Sequence, residues 1–140
     1  MNHWLVWSLL SALFAGLTAV LAKIGIEGVD SNLATAIRTT VILVFTWMLA
    51  SLTQSTWSLG TISRRTWIFL ALSGIATGLS WICYFRALQL GPASRVAPID
   101  KLSVLFAIAL AVVVLHEKLT WHQWCGGAFI LVGAIVLAIE

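Results

Sequence analysis

The chain has 140 residues, of which 61% are hydrophobic and 9% are charged, and its mean hydropathy is +1.02. This composition excludes a soluble domain and predicts a chain whose environment is the lipid bilayer. The formal net charge of +3 is too small and too dispersed to indicate a nucleic-acid partner.

Apolar runs long enough to cross a bilayer recur along the chain, with short polar segments between them. The predicted helices cover residues 3–22, 32–51, 66–90, 94–115 and 121–139. Asp30 or Ser31 is the expected cap of the second helix, and Thr120 is the expected cap of the fifth. We therefore predict an all-α integral membrane protein, a bundle of five transmembrane helices in one domain over residues 1–140.

The third and fourth predicted helices form a hairpin. Gly91 ends the third helix, and Pro92 cannot continue its hydrogen-bond ladder. Ser94 is the expected N-cap of the fourth helix. Pro98 lies about one turn inside that helix, where a proline is tolerated or kinks the axis. We predict that it weakens the fourth helix and lets this helix bend.

Small residues at helical spacing lie in the first, third and fifth predicted helices. Such residues let two helix backbones approach closely. The residues predicted to pack in this way are Ser8, Ala12, Ala15, Ala19, Gly74, Gly78, Gly126 and Gly133.

Five charged residues in four predicted helices lie within about two turns of the same membrane face. They are Lys23, Arg38, Arg86, Asp100 and Lys101. Charge in a membrane segment is costly, so such residues are candidates for a functional site. The side chain of Lys23 is expected to extend to the membrane interface. The side chain of Arg86 either extends to the interface in the same way or takes part in a solute path.

Arg38 and Lys101 are predicted to contact a substrate, with Asp100 balancing their charge. Adjacent residues diverge by about 100° on a helix, so Asp100 and Lys101 are not expected to neutralise each other. The alternative is a structural ion pair of Asp100 with Arg38 or Arg86. Four cations against one anion favour an anionic or zwitterionic solute over a simple cation.

Aromatic residues are distributed unevenly over the predicted spans. Six tryptophans are expected at one membrane face, where they anchor helices to the interface: Trp4, Trp7, Trp57, Trp67, Trp121 and Trp124. Trp81 lies deeper and shares a helix face with Tyr84 and Leu88. These side chains either line a cavity or pack in the interior or against lipid.

Several stretches together resemble one EamA domain of the drug/metabolite transporter superfamily, in its five-span form. They are residues 7–16, Lys23, Arg38, Gly74, Gly78, residues 80–88, residues 91–99, residues 117–120, Gln123, Gly126 and Gly133. The resemblance covers essentially the whole chain. It implies one repeat of a transporter whose ten-span relatives contain two such domains in inverted orientation and typically export metabolites, amino acids or drugs.

The function expected from these features is transport of a small metabolite, by efflux, in a bacterial inner membrane. The alternative is a non-transporting accessory subunit, or half of a flippase for lipid-linked sugars. An enzyme is not expected, because His3, His116 and His122 form no metal-ligand or catalytic pattern. No cofactor and no metal are expected.

The assembly expected is an antiparallel homodimer, with a heterodimer of paralogues or a parallel dimer as the alternatives. Three basic residues flank the helices on each membrane face: Arg64, Arg65 and Lys118 on one, and Lys23, Arg86 and Arg95 on the other. This balance gives the positive-inside rule little to act on. Five helices are also few to enclose a solute path, which transporters commonly build from two inverted repeats.

Overall fold

The computed structural model describes residues 3–53, 60 and 62–139. In these ranges the chain is helical and contains no strand. The helices are α1 (His3–Gly25), α2 (Ser31–Thr53), α3 (Arg64–Leu90), α4 (Ala93–Asp100), α5 (Ser103–Val114) and α6 (Trp121–Ala138). They provide five spans that are long and apolar enough to cross a membrane, with α4 and α5 forming one span, Ala93–Val114.

The described tryptophans of the predicted interfacial belt are all exposed on the chain surface. Trp57 lies outside the described residues, as does most of the segment between α2 and α3.

Local hydrogen bonds account for the start of several helices. The Asp30 carboxylate accepts from the backbone N–H groups of Asn32 and Leu33, at 2.9 and 3.1 Å, and so caps α2 as predicted. The side chain of Gln123 accepts from the backbone N–H of Thr120 at 2.7 Å at the start of α6. These contacts satisfy backbone donors that a helix start leaves unpaired.

The predicted N-cap of the fourth helix was wrong. α4 begins at Ala93 and its N-cap is Pro92, which has an extended backbone, with φ −70° and ψ 144°. The carbonyl of Pro92 accepts from the N–H groups of Arg95 and Val96. Ser94 therefore lies in the first turn, because proline has a fixed φ and no N–H and so can stand directly before a helix.

The hydroxyl groups of α2 bond to the backbone of α2 itself. Thr35, Thr39, Thr40, Thr46, Ser51 and Thr53 each donate to the carbonyl oxygen four residues earlier. Because these donors are satisfied within one helix, α2 can hold many hydroxyls and still be apolar enough to cross a membrane.

The described residues divide into two compact units. In the first unit, residues 3–24 and 90–139, α6 packs against α4 and α5. Gly127 and Ala134 are the buried residues of α6. A Cβ atom built on Gly127 would lie 3.3 Å from Cδ2 of Leu105 and 3.9 Å from Cδ1 of Ile108. The glycine thus allows α5 to approach α6 closely.

The helix-packing stripe of α6 lies one residue beyond the stripe predicted from the sequence. A Cβ atom built on Gly126 or Gly133 would have no neighbour within 4 Å, and the same holds for Gly74 and Gly78. Among the described residues of their own units, these four glycines therefore make no close helix contact. Their contact with a second chain stays a prediction. In α1, Ala19 is buried, Ala15 is half-buried, and Ser8 and Ala12 are exposed.

In the second unit, residues 25–89, the buried side chains lie where α2 begins and α3 ends. They are Ile26, Ser31, Thr35, Phe85 and Leu88. The amide nitrogen of Gln89 donates to the carbonyl of Val29 at 2.7 Å and ties the end of α3 to the loop before α2. This end of the unit is therefore its ordered core.

The span Ala93–Val114 is interrupted at Lys101 and Leu102. Backbone bonds there run over three residues, from Lys101 N to Pro98 O at 3.1 Å and from Leu102 N to Ile99 O at 3.0 Å. Pro98 has no N–H to donate to the turn before it. The tightened turn lies after the proline, at Lys101 and Leu102, and not at the proline itself.

Candidate functional site

Arg38 is held over two aromatic rings of α3. Its Cζ atom lies 4.7 Å from the ring centroid of Trp81 and 5.3 Å from that of Phe85. Trp81 and Phe85 are four residues apart and so share one face of α3. Two cation–π contacts therefore stabilise a guanidinium about 10 Å inside α2.

The aromatic environment of Arg38 extends to Tyr84. The ring of Tyr84 meets that of Phe85 edge to face, with the ring centroids 6.4 Å apart. Phe85 is buried, whereas Trp81, Tyr84 and Arg38 are half-buried. The three rings thus form an aromatic platform with one open side, and the cation lies on it.

The second unit contains two carboxylates, and neither forms an ion pair with Arg38 in the described residues. Asp30 caps α2, and Glu27 lies in the loop before it. No hydrogen bond from the guanidinium to another described residue of 25–89 accompanies the ring contacts. Arginine carries five N–H donors, so this one retains the capacity to bind an anion.

Arg86 contacts the polar end of α3. Its guanidinium donates to the side-chain oxygen of Gln89 at 3.1 Å, and Gln89 in turn donates to Val29. Arg86 is exposed. These bonds draw its charge toward the helix end, as expected for a cation that reaches an interface. A role of Arg86 in a solute path stays a prediction.

Asp100 and Lys101 form an ion pair with each other, which corrects the prediction that they would not. The Lys101 ammonium lies 3.4 Å from Oδ2 of Asp100. The prediction assumed a regular helix, where neighbours point apart. The flexible lysine side chain and the helix break that begins at Lys101 permit the contact. An ion pair of Asp100 with Arg38 or Arg86 stays a prediction.

Lys23 in the last turn of α1 donates to the carbonyl of Gly91 at 3.0 Å. Gly91 follows the last residue of α3, where backbone carbonyls lack helical partners. Lys23 therefore stabilises the turn between α3 and α4 within the first unit.

Phe85 and Gln89 are the contacting residues that the sequence analysis missed. Phe85 lies four residues after Trp81, so helical spacing could have identified it as the second ring on the Trp81 face. Gln89 gave no signal, because its bond to Val29 depends on the fold of the loop before α2.

Within the described residues, no three His, Cys, Asp or Glu side chains form a group that could hold a metal ion. The described features are apolar spans, a cation on aromatic rings and an ion pair at a helix break. They define an α-helical integral membrane protein with charged groups inside its spans.

The chain belongs to the EamA-like transporter family, whose model matches residues 2–139. It is 52% identical over 138 residues to a protein of Sinorhizobium sp. described as an uncharacterized transporter in cobO 3'region. That match covers 99% of this chain and 98% of the relative. The family and this relative identify the chain as a transporter and not an enzyme.

A more distant likeness covers half of the chain. Over 70 residues it is 29% identical to a protein of Escherichia fergusonii described as a probable 4-amino-4-deoxy-L-arabinose-phosphoundecaprenol flippase subunit ArnE. That match covers 50% of this chain and 63% of the relative. A protein of Escherichia coli with the same description is 32% identical over 70 residues, with the same coverage. No solved structure matches the chain.

Proposed function

We propose that this chain is one half of a dimeric transporter that exports a small anionic or zwitterionic metabolite across a bacterial inner membrane. The observation that carries this proposal is Arg38, a cation inside an apolar span that is held by Trp81 and Phe85. Bacterial relatives support the location, and the resemblance to ten-span relatives that typically export metabolites, amino acids or drugs favours the direction.

Charge balance at Arg38 favours a solute with an anionic group. An aromatic face stabilises a cation but does not neutralise it, and the carboxylates of residues 25–89 do not pair with Arg38. A carboxylate or phosphate of the solute would complete the pair through the N–H groups of the guanidinium. The open side of the aromatic platform would accept the apolar part of the same solute.

The proposed dimer is supported by surfaces that have few contacts among the described residues. α5 has no buried residue, and a Cβ atom built on Gly126 or Gly133 would have no described neighbour within 4 Å. A second copy in inverted orientation would cover such surfaces and enclose a path between two repeats. The equal basic charge at the two membrane faces supports an antiparallel arrangement.

The test measures ligand binding to the full chain in nanodiscs, as a shift of its thermal unfolding. The probes are a panel of amino acids, dicarboxylates and sugar phosphates. Quaternary ammonium compounds serve as cationic probes for comparison. Arg38→Gln should remove every shift that an anionic group produces in the wild type. Efflux of the binding probes from cells then measures transport, which the same variant should abolish.

Arg65→Gln is the matched control, because Arg65 also lies over an aromatic ring, that of Phe69 at 5.8 Å, but in the first turn of α3. It should bind and transport like the wild type. Equal anion binding by the Arg38→Gln variant, or stronger shifts with quaternary ammonium compounds, would contradict the proposal.

A subunit of a lipid-linked sugar flippase is the second candidate. The likeness to the ArnE proteins over half of the chain favours it. A phosphodiester is an anion that Arg38 could also bind. Stable co-purification with an unlike membrane protein, and no transport by the chain alone, would favour this candidate over the homodimeric transporter.

A further inference from the structure

The Asp100–Lys101 ion pair lies near the middle of a membrane span. Asp100 is seven residues after the start of Ala93–Val114, which is about 10 Å along the helix and about 5 Å short of its midpoint. An aspartate side chain is too short to reach the interface from there. The Lys101 ammonium lies 3.4 Å from Oδ2 of Asp100.

Neither side chain of the pair is buried. The side chain of Lys101 is 57% exposed and that of Asp100 is 34% exposed. Two charges at this depth are unfavourable against hydrocarbon, even when they pair with each other. Something other than lipid must therefore cover them in the assembled protein.

We propose that a second copy of this chain covers the pair, so that two Asp100–Lys101 pairs form a ring of four alternating charges. This inference rests on the proposed function in taking the chain as half of a dimer. In a two-fold interface, Asp100 of one copy meets Lys101 of the other, and the reverse contact forms at the same time. The Asp100–Lys101 pair of one copy is therefore complementary to the same pair of the other copy.

The depth of the pair agrees with an inverted dimer. When the two-fold axis lies in the membrane plane, residues near the middle of a span can approach their own symmetry mates. Asp100 and Lys101 meet this condition, and the long lysine side chain spans the remaining offset. The pair carries no net charge, so it attracts a charged solute less than Arg38 does. The break at Lys101 and Leu102 also leaves the backbone irregular where a partner would shield it from lipid.

The test exchanges charges between two tagged copies of the full chain, expressed together in membranes. Asp100→Lys alone gives four positive charges in a homodimer, and Lys101→Asp alone gives four negative charges. Each should lower capture of one tagged copy by the other about tenfold or more, because like charges in an interface repel. Expressing the two variants together should restore capture to the wild-type level, since each lysine of one chain then meets an aspartate of the other.

The matched controls are Glu117→Lys and Lys118→Asp, which change an adjacent acid–lysine pair in the turn between α5 and α6. These controls should leave capture unchanged. A variant that does not accumulate alone still tests the inference, because co-expression should then restore its abundance. The double exchange Asp100→Lys with Lys101→Asp should also assemble, since it remains complementary to itself.

Wild-type capture by both single variants would overturn the inference. Absence of rescue in the mixed pair and in the double exchange would also overturn it. Capture measures assembly without transport, and Arg38→Gln should leave capture unchanged. Failure of this inference is therefore distinguishable from failure of the anion site.

Discussion

Arg38 in the second unit and Lys101 in the first are both cations inside apolar spans, and their surroundings differ. Arg38 lies on rings supplied by a neighbouring helix, whereas Lys101 pairs with the residue before it at a helix break. Within residues 25–89 the first arrangement leaves the charge of Arg38 without a carboxylate partner. The second neutralises the charge of Lys101 locally, and the pair is not buried. This difference is the basis for the two proposals, a solute site at Arg38 and a contact between chains at Asp100 and Lys101.

Among substitutions that leave Arg38 in place, the largest expected effect comes from removing a ring. Trp81→Ala should lower transport sharply, because a cation–π contact out of water contributes about 2 kcal/mol. That loss corresponds to roughly 25-fold in affinity. Trp81→Phe keeps a ring and should lose less. Trp67→Ala, at an exposed tryptophan in the first turn of α3, is the control. Transport is measured as efflux at matched protein abundance. Equal loss in the Trp67 and Trp81 variants would show that the aromatic platform under Arg38 has no special role in transport.

The second prediction separates the two kinds of charge by protein abundance. Asp100→Asn or Lys101→Gln leaves one unpaired charge in the span, so each should accumulate to several-fold lower levels in the membrane. The double variant removes both charges and should recover most of this loss. Arg38→Gln leaves no unpaired carboxylate in residues 25–89 and should accumulate normally. A double variant as poor as the single ones would show that Asp100 and Lys101 do not depend on each other.

A smaller effect is expected at Pro98, which precedes the break. Pro98→Ala supplies an N–H that can bond the carbonyl of Ser94 and should regularise the span. We expect a several-fold slower turnover with binding of the solute little changed, because bending of the span would become harder. Binding shifts and efflux rates of the same preparation measure the two quantities. Lost binding with unchanged turnover of bound solute would limit Pro98 to shaping the site.

The smallest effect is expected at Gln89, which is coupled to Arg86 and Val29 but touches neither charge site. Gln89→Leu removes the bond to Val29 and should lower stability by about 1 kcal/mol. For a chain of this size that is a fall in Tm of roughly 2–4 °C. Asn32→Ala, at an exposed position in the first turn of α2, is the control. A larger loss of transport than of stability would indicate that this end of the unit takes part in transport.

The sequence was sufficient to predict the helices and several of their ends. Spans depend on the summed hydropathy of many residues, and caps such as Asp30 act within a few residues of the chain. The fold class is therefore confirmed, five apolar spans and no strand in the described ranges. The end of α3 before Gly91 follows from the same local chemistry.

The contacts between helices were harder to predict. Gly126 and Gly127 are adjacent and chemically identical, and only the rotation of α6 decides that Gly127 meets Leu105. The tightened turn falls at Lys101 and Leu102 because several backbone bonds adjust after Pro98. Arg38 was recognisable as an unusual charge, but the rings beneath it depend on how α2 and α3 pack.

The hydroxyls of α2 have a consequence for how this helix is oriented in the bilayer. Because they bond to carbonyls of α2 itself, these hydroxyls need no polar partner on a neighbouring helix. Near the start of α2, buried Ser31 and Thr35 and the ring contacts of Arg38 constrain the rotation of the helix about its own axis. An anion that drew Arg38 off its rings would release the constraint on α2 that carries a charge.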